Sequence, residues 1–89
     1  MKGILTIIGK DRVGIIAHVS TLLASYNANI LDINQTVMRD YFTMIMLVDL
    51  DGITTDFTTL QQELDKKAKE INMEIKIQRE DIFDKMYEV

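Results

Sequence analysis

Apolar residues in this chain recur in two rhythms, and the order in which the rhythms alternate leaves few folds open. Gly3 to Ile8 is a β-rich run that ends at Gly9. After a short polar loop, Ile15, Ile16, Val19, Leu22, Leu23 and Tyr26 recur at spacings of three and four, the stripe of an amphipathic helix. Asp11 is placed to cap that helix, and Asn27 to terminate it in a left-handed conformation. Two strands follow. In Ile30 to Met38 the polar residues Asp32, Asn34 and Thr36 alternate with Leu31, Ile33 and Val37; Arg39-Asp40 makes a tight connection; Tyr41 to Leu50 is the next strand. Asp51-Gly52-Ile53 breaks the pattern. Phe57, Leu60, Leu64, Ala68 and Ile71 trace a second helix, capped by Thr55 or Asp56 and ended near Asn72. Met73, Ile75 and Ile77 alternate as a last strand, and Ile82, Phe83, Met86 and Tyr87 form a short helical stripe close to the C-terminus.

The order β-α-β-β-α-β plus a tail helix predicts an α+β fold of ferredoxin-like topology, an antiparallel sheet with two helices on one face. The chain of 89 residues suffices for one domain spanning residues 1–89. In this topology the first and third strands are central. Phe42, Met44, Met46 and Val48 share one face of the third strand, while Tyr41, Thr43, Ile45 and Leu47 share the other. Helices cover only one face, so the second needs another cover, the tail helix or a second copy of the chain. A second copy is favoured because a short tail covers little area.

Composition narrows the function. There is no cysteine, which removes disulfides, thiolate metal sites and cysteine nucleophiles. A formal charge of −4 argues against a nucleic-acid partner. Lys66, Lys67 and Lys69 cluster, but in the last turns of a helix, where they complement its dipole. No apolar run has the length of a membrane span, and no cleavage-site pattern follows the N-terminus, so a cytoplasmic protein is expected.

The loop Gly9-Lys10-Asp11-Arg12-Val13-Gly14-Ile15 carries the functional argument. Its glycines permit a sharp turn and close approach of a ligand to the main chain. Free N–H groups at the helix start, near Val13, Gly14 and Ile15, favour an anion. The spacing from Gly9 to Gly14 resembles a phosphate loop, yet Ile15 and Ile16 stand where that motif needs Lys and Ser/Thr, so a nucleotide is excluded and a carboxylate remains. The second strand begins Asn29-Ile30-Leu31-Asp32, and its start is expected near the loop, since a single helix separates them. An ammonium at Asp32 or the Asn29 amide would then complete a site for a zwitterionic amino acid. Taken singly, Asp11 also reads as a cap, Asp32 as an edge residue and Asn29 as a helix-exit residue.

Lys10-Asp11-Arg12-Val13-Gly14-Ile15, a helix, then Asn27-Ala28-Asn29-Ile30 resembles the signature of the ACT domain family, an acidic-basic-Pro-Gly turn before a helix and an Asn-Ile pair opening the second strand. The resemblance covers nearly the whole chain and extends to Asp81-Ile82-Phe83-Asp84-Lys85-Met86-Tyr87, which is similar to the C-terminal end of free-standing bacterial members. It implies a small regulatory module that pairs as a homodimer or higher homo-oligomer and binds an amino acid between copies. The binding positions it implies are Asp11, Arg12, Val13, Gly14 and Ile15, with Asn29, Ile30 and Asp32. Val13 stands where the family usually has proline, and Asn27-Ala28 where it often has glycine.

Other constellations fail. The lone His18 falls beside the helical stripe, and Ser20 and Ser25 have no elbow motif, so no catalytic residue is assigned. Asp49-Leu50-Asp51-Gly52 resembles a calcium loop, but Leu47 and Thr58 occupy positions that need Asp and Glu, so no metal site and no cofactor is assigned. The alternative function is a ligand-free module for dimerisation or for docking on a partner protein, through the tail helix and the second sheet face.

Overall fold

A computed structural model describes residues 1–10 and 14–81. Its elements run β1 (Lys2–Gly9), α1 (Ile15–Ser25), β2 (Asn29–Met38), β3 (Tyr41–Asp49), α2 (Phe57–Glu70) and β4 (Glu74–Arg79). The four strands form one antiparallel sheet in the order β2-β3-β1-β4. This is the expected ferredoxin-like arrangement, with β1 and β3 central. The expected tail helix at Ile82, Phe83, Met86 and Tyr87 lies outside the described residues.

Alternation decides which face of the sheet is buried. Leu5 and Ile7 on β1, Phe42, Met44, Met46 and Val48 on β3, and Ile75 and Ile77 on β4 are all buried. They meet Ile15, Val19 and Leu23 of α1 and Leu60, Leu64 and Ala68 of α2 in one apolar cluster. Burial of about a dozen such side chains, each contributing on the order of 1.5–3 kcal/mol, drives the collapse of a chain that has no cross-links.

Left-handed residues make the tight turns. Asn27 (φ 60°), Arg39 (φ 56°) and Asn72 (φ 57°) close the exit of α1, the β2–β3 hairpin and the exit of α2. Asparagine enters this region at low cost because its short amide bonds locally. Asn27 adds a second link, its Nδ2 donating to the Gly52 carbonyl at 2.8 Å and so tying the α1 exit to the β3–α2 turn. At α2, Asp56 is the cap, its Oδ1 accepting from the Thr59 N–H at 2.7 Å. The Thr59 side chain and backbone hold that carboxyl below the ordinary carboxylate range.

Two features depart from the expectation. The cap position of α1 is held by Gly14 rather than Asp11, which itself lies outside the described residues. A left-handed Gly14 (φ 75°, ψ −2°) begins the helix one residue before Ile15, and glycine has no side chain to cap with. Strand β2 also carries a register shift between Ile30 and Asp32, so that Leu31 is an extra residue opposite the Val48–Leu47 step of β3. Beyond it, Ile33 and Val37 lie on the helix side, paired with Met46 and Phe42, yet both are exposed. The helices stop short of this edge.

Candidate functional site

Strand register fixes where each candidate residue lies. Gly9, the last residue of β1, pairs with Phe42, which in turn pairs with Val37 near the end of β2. Asn29 pairs with Asp49, which pairs with Lys2 at the opposite end of β1. From Lys2 to Gly9 the strand rises about 23 Å at roughly 3.3 Å per residue. Asn29 therefore sits at the far end of the sheet from the glycine-flanked loop. Asp32, in the row of Leu47 and Ile4, is still about 17 Å short of it.

The expectation that β2 begins beside the loop is thus overturned within one chain. The 11 residues of α1 carry the backbone back along the sheet before β2 begins. At about 1.5 Å per residue that is roughly 16 Å. Gly14 and Ile15 are together at one end, Asn29, Ile30 and Asp32 toward the other. Asp11, Arg12 and Val13 lie outside the described residues.

At the loop end, the start of α1 lacks the capping side chain that the start of α2 has. The first intrahelical bond runs from the His18 N–H to the Gly14 carbonyl at 2.9 Å, which leaves the N–H groups of the preceding turn without an intrahelical acceptor. Gly14 supplies no side chain to satisfy them, whereas Asp56 does so for α2. Lys10 brings positive charge to the same end, its Nζ lying 5.7 Å from the centre of the Tyr41 ring on β3. Beside it, a cleft of about 450 Å³ opens between Gly9, Lys10 and the turn at Ile71, Asn72 and Met73.

The other candidates have structural accounts. His18 is exposed on α1, beside Gly14 and in a groove shared with Lys67 of α2. Asp49 Oδ1 accepts from the Asp51 N–H at 2.9 Å, and Asp51 pairs with the N-terminal ammonium, so the aspartates of the β3–α2 turn are engaged in the turn itself. Among the described residues no cluster of His, Asp and Glu has the grouping of a metal site, and no buried side chain is polar or charged. No described helix is long and apolar enough to cross a membrane.

A family profile described as the ACT domain matches residues 4–78. The chain belongs to the ACT domain family. ACT domains are regulatory modules that bind small molecules, often amino acids, and are often dimeric. The chain is 55% identical over 89 residues, the full length of both, to a UPF0237 protein of Clostridium acetobutylicum. Among solved structures it is similar to an ACT domain protein from Streptococcus pneumoniae, with 45% identity, 98% of each chain covered and a TM-score of 0.83. It also resembles a formyltetrahydrofolate deformylase from Pseudomonas syringae at 30% identity and a TM-score of 0.78, covering 88% of this chain and 27% of that one. Similar structures thus occur both as a chain of about this length and as part of a longer one.

Proposed function

We propose that the protein is a cytoplasmic regulatory module, one ACT domain over residues 1–89, that binds an amino acid between the subunits of a homodimer. The observation that carries this reading is the glycine-capped start of α1, where N–H groups without an intrahelical acceptor and the Lys10 ammonium favour a carboxylate. A second subunit supplies what one chain cannot. Strand β2 offers a sheet edge of 10 residues without Lys, Arg or Pro, while the other edge, β4, has only 6 and carries Glu74, Lys76 and Arg79. Charged, short edges resist pairing and long apolar ones invite it. Two β2 strands joined antiparallel about a two-fold set the start of one beside the end of the other. The partner subunit's Asn29 and the partner subunit's Asp32 then approach the loop end of the first chain, where Asp11, Arg12, Val13, Gly14 and Ile15 would hold the carboxylate. Asn29, Ile30 and Asp32 would take the ammonium end.

Regulation rather than catalysis is supported by the family, whose domains are regulatory modules. Ligand binding would act by favouring one of two assembly states. The alternative, a ligand-free module that pairs or docks on a partner protein, draws support from the same exposed β2 edge. A thermal-shift screen of the amino acids separates the two. Ligand at about 100 times its Kd adds roughly 2.7 kcal/mol, which for a domain of this size raises Tm by on the order of 10 °C. A flat response to every amino acid at millimolar concentration refutes the ligand reading and leaves the docking module.

A further inference from the structure

Strand β4 ends beside an apolar spot on the sheet face turned away from the helices. On that face the row nearest the end of β4 runs through Gln78, Ile4, Leu47 and Asp32. Among the described residues it is the one row of this face in which both central strands carry an apolar side chain. In the next two rows Ile45 is paired with Thr6, and Ile8 with Thr43. Ile4 and Leu47 are half-buried, and Ile45 beside them is 42% exposed. Directly after β4 a helical turn opens at Glu80 and Asp81, with Arg79 Nη2 donating to Asp81 Oδ2 at 3.1 Å.

We propose that residues 82–89, which lie outside the described residues, continue this turn as a helix laid across the open face of their own chain, from β4 over β1 to β3. Length and spacing carry the assignment. Strands about 4.8 Å apart put β1 roughly 5 Å and β3 roughly 10 Å from the end of β4. At about 1.5 Å per residue from Glu80, Phe83 arrives over β1 at roughly 4.5 Å, and Met86 and Tyr87 over β3 at roughly 9–10.5 Å. The apolar positions of the tail thus fall on Ile4 and Leu47, while Asp84, Lys85 and Glu88 lie off the apolar arc at 100° per residue and turn outward. A helix about 10 Å wide also reaches Ile45, since neighbouring rows on one face are only about 7 Å apart. The area argument that favours a second copy counts the whole face, most of which is polar. A second copy would have to bury the polar rows too; the tail covers the apolar one alone. The contact does not rest on the amino-acid reading. A seated tail does withdraw two surfaces from the docking alternative, the tail helix and the sheet beneath it, and leaves that alternative the β2 edge.

Thiol protection in the full chain tests it, because the natural sequence has no cysteine to interfere. Ile45→Cys places a thiol on an exposed position under the tail, and its reaction with a maleimide is expected to be slowed by about tenfold or more relative to Thr36→Cys, since access needs local opening. The protection should be independent of protein concentration and should vanish when Phe83→Asp is added. Equal reactivity of the two thiols overturns the proposal. So does protection that fades on dilution, which is the mark of cover by another molecule, and so does protection that survives Phe83→Asp. If a variant fails to fold, the wild-type chain decides by nuclear Overhauser contacts. Contacts between the Phe83 ring and the Ile4 methyl groups are expected within one chain, and their absence, or their appearance only between labelled and unlabelled chains, overturns the assignment.

Discussion

Replacing Gly14 by alanine isolates what the start of α1 owes to backbone geometry. Gly14 has a φ of 75°, in the left-handed region. An L-residue there costs about 1–2 kcal/mol, of which roughly 0.4–1 kcal/mol returns because alanine narrows the unfolded ensemble. Sterics add nothing, since the new Cβ would lie 3.6 Å from Cδ2 of His18, an ordinary contact. The net loss is about 1 kcal/mol, or a fall in Tm of roughly 4–8 °C for a domain of this size. Gly14→Asn is the control. Asparagine tolerates the left-handed region, so its Tm should stay near that of the wild type while its amide crowds the helix start. In calorimetry with and without amino acid, Gly14→Ala should lower the baseline Tm, and Gly14→Asn should keep the baseline but lose the ligand-induced rise. Equal stability of wild type and Gly14→Ala would refute the backbone argument. A full ligand-induced rise in Gly14→Asn would remove the helix start from the binding site.

Two other perturbations test the framework around the site. A carboxyl held below its ordinary range in the folded state stabilises above its unfolded pKa, and that contribution is lost as the pH falls through the folded value. Asp56→Asn, which keeps a capping side chain, should therefore flatten the acid limb of a Tm-versus-pH curve; an unchanged limb would show that the cap charge contributes nothing. A Cβ added at Gly9 would fall 1.6 Å from Sδ of Met73, a flexible and half-buried side chain that must swing aside, so Gly9→Ala should cost about 1 kcal/mol, the low end for overpacking. Combined with Met73→Ala in urea unfolding, the loss should be smaller than the sum of the two single losses, and simple additivity would contradict this contact.

The architecture was legible because the elements are short and their periodicities differ. Phe42, Met44, Met46 and Val48 announce a strand with one buried face, and they are buried. Asn27 and Asn72 stand where a helix must exit left-handed, and both do. Polar capping chemistry identified Asp56 as one of two candidates, and the hydrogen bond to Thr59 chooses it. The bulge at Leu31 left no trace, because adjacent Ile30 and Leu31 fit an alternating strand in either register, and only pairing with β3 shows which residue is extra. Capping chemistry points to Asp11 for α1 because side-chain capping is the commoner device, whereas Gly14 opens the helix through its conformation.

The distance between Asn29 and the loop is hidden in the sequence for a different reason. Closeness in sequence across one helix is not closeness in space, because the 11 residues of α1 carry the backbone most of the way along the sheet. Loop and strand start are therefore at opposite ends, so a site that used both would need two chains to complete it.

Main-chain hydrogen bonding along an unguarded strand reads no sequence, so the outer side of β2 is as open to a sister protein as to its own twin. Were β2 to pair with a second chain, the bulge at Leu31 would set where along the strand that ladder must break and resume. A relative lacking that irregularity would fall out of step after a few residues. In such a pairing the bulge would favour a second chain that carries the same irregularity.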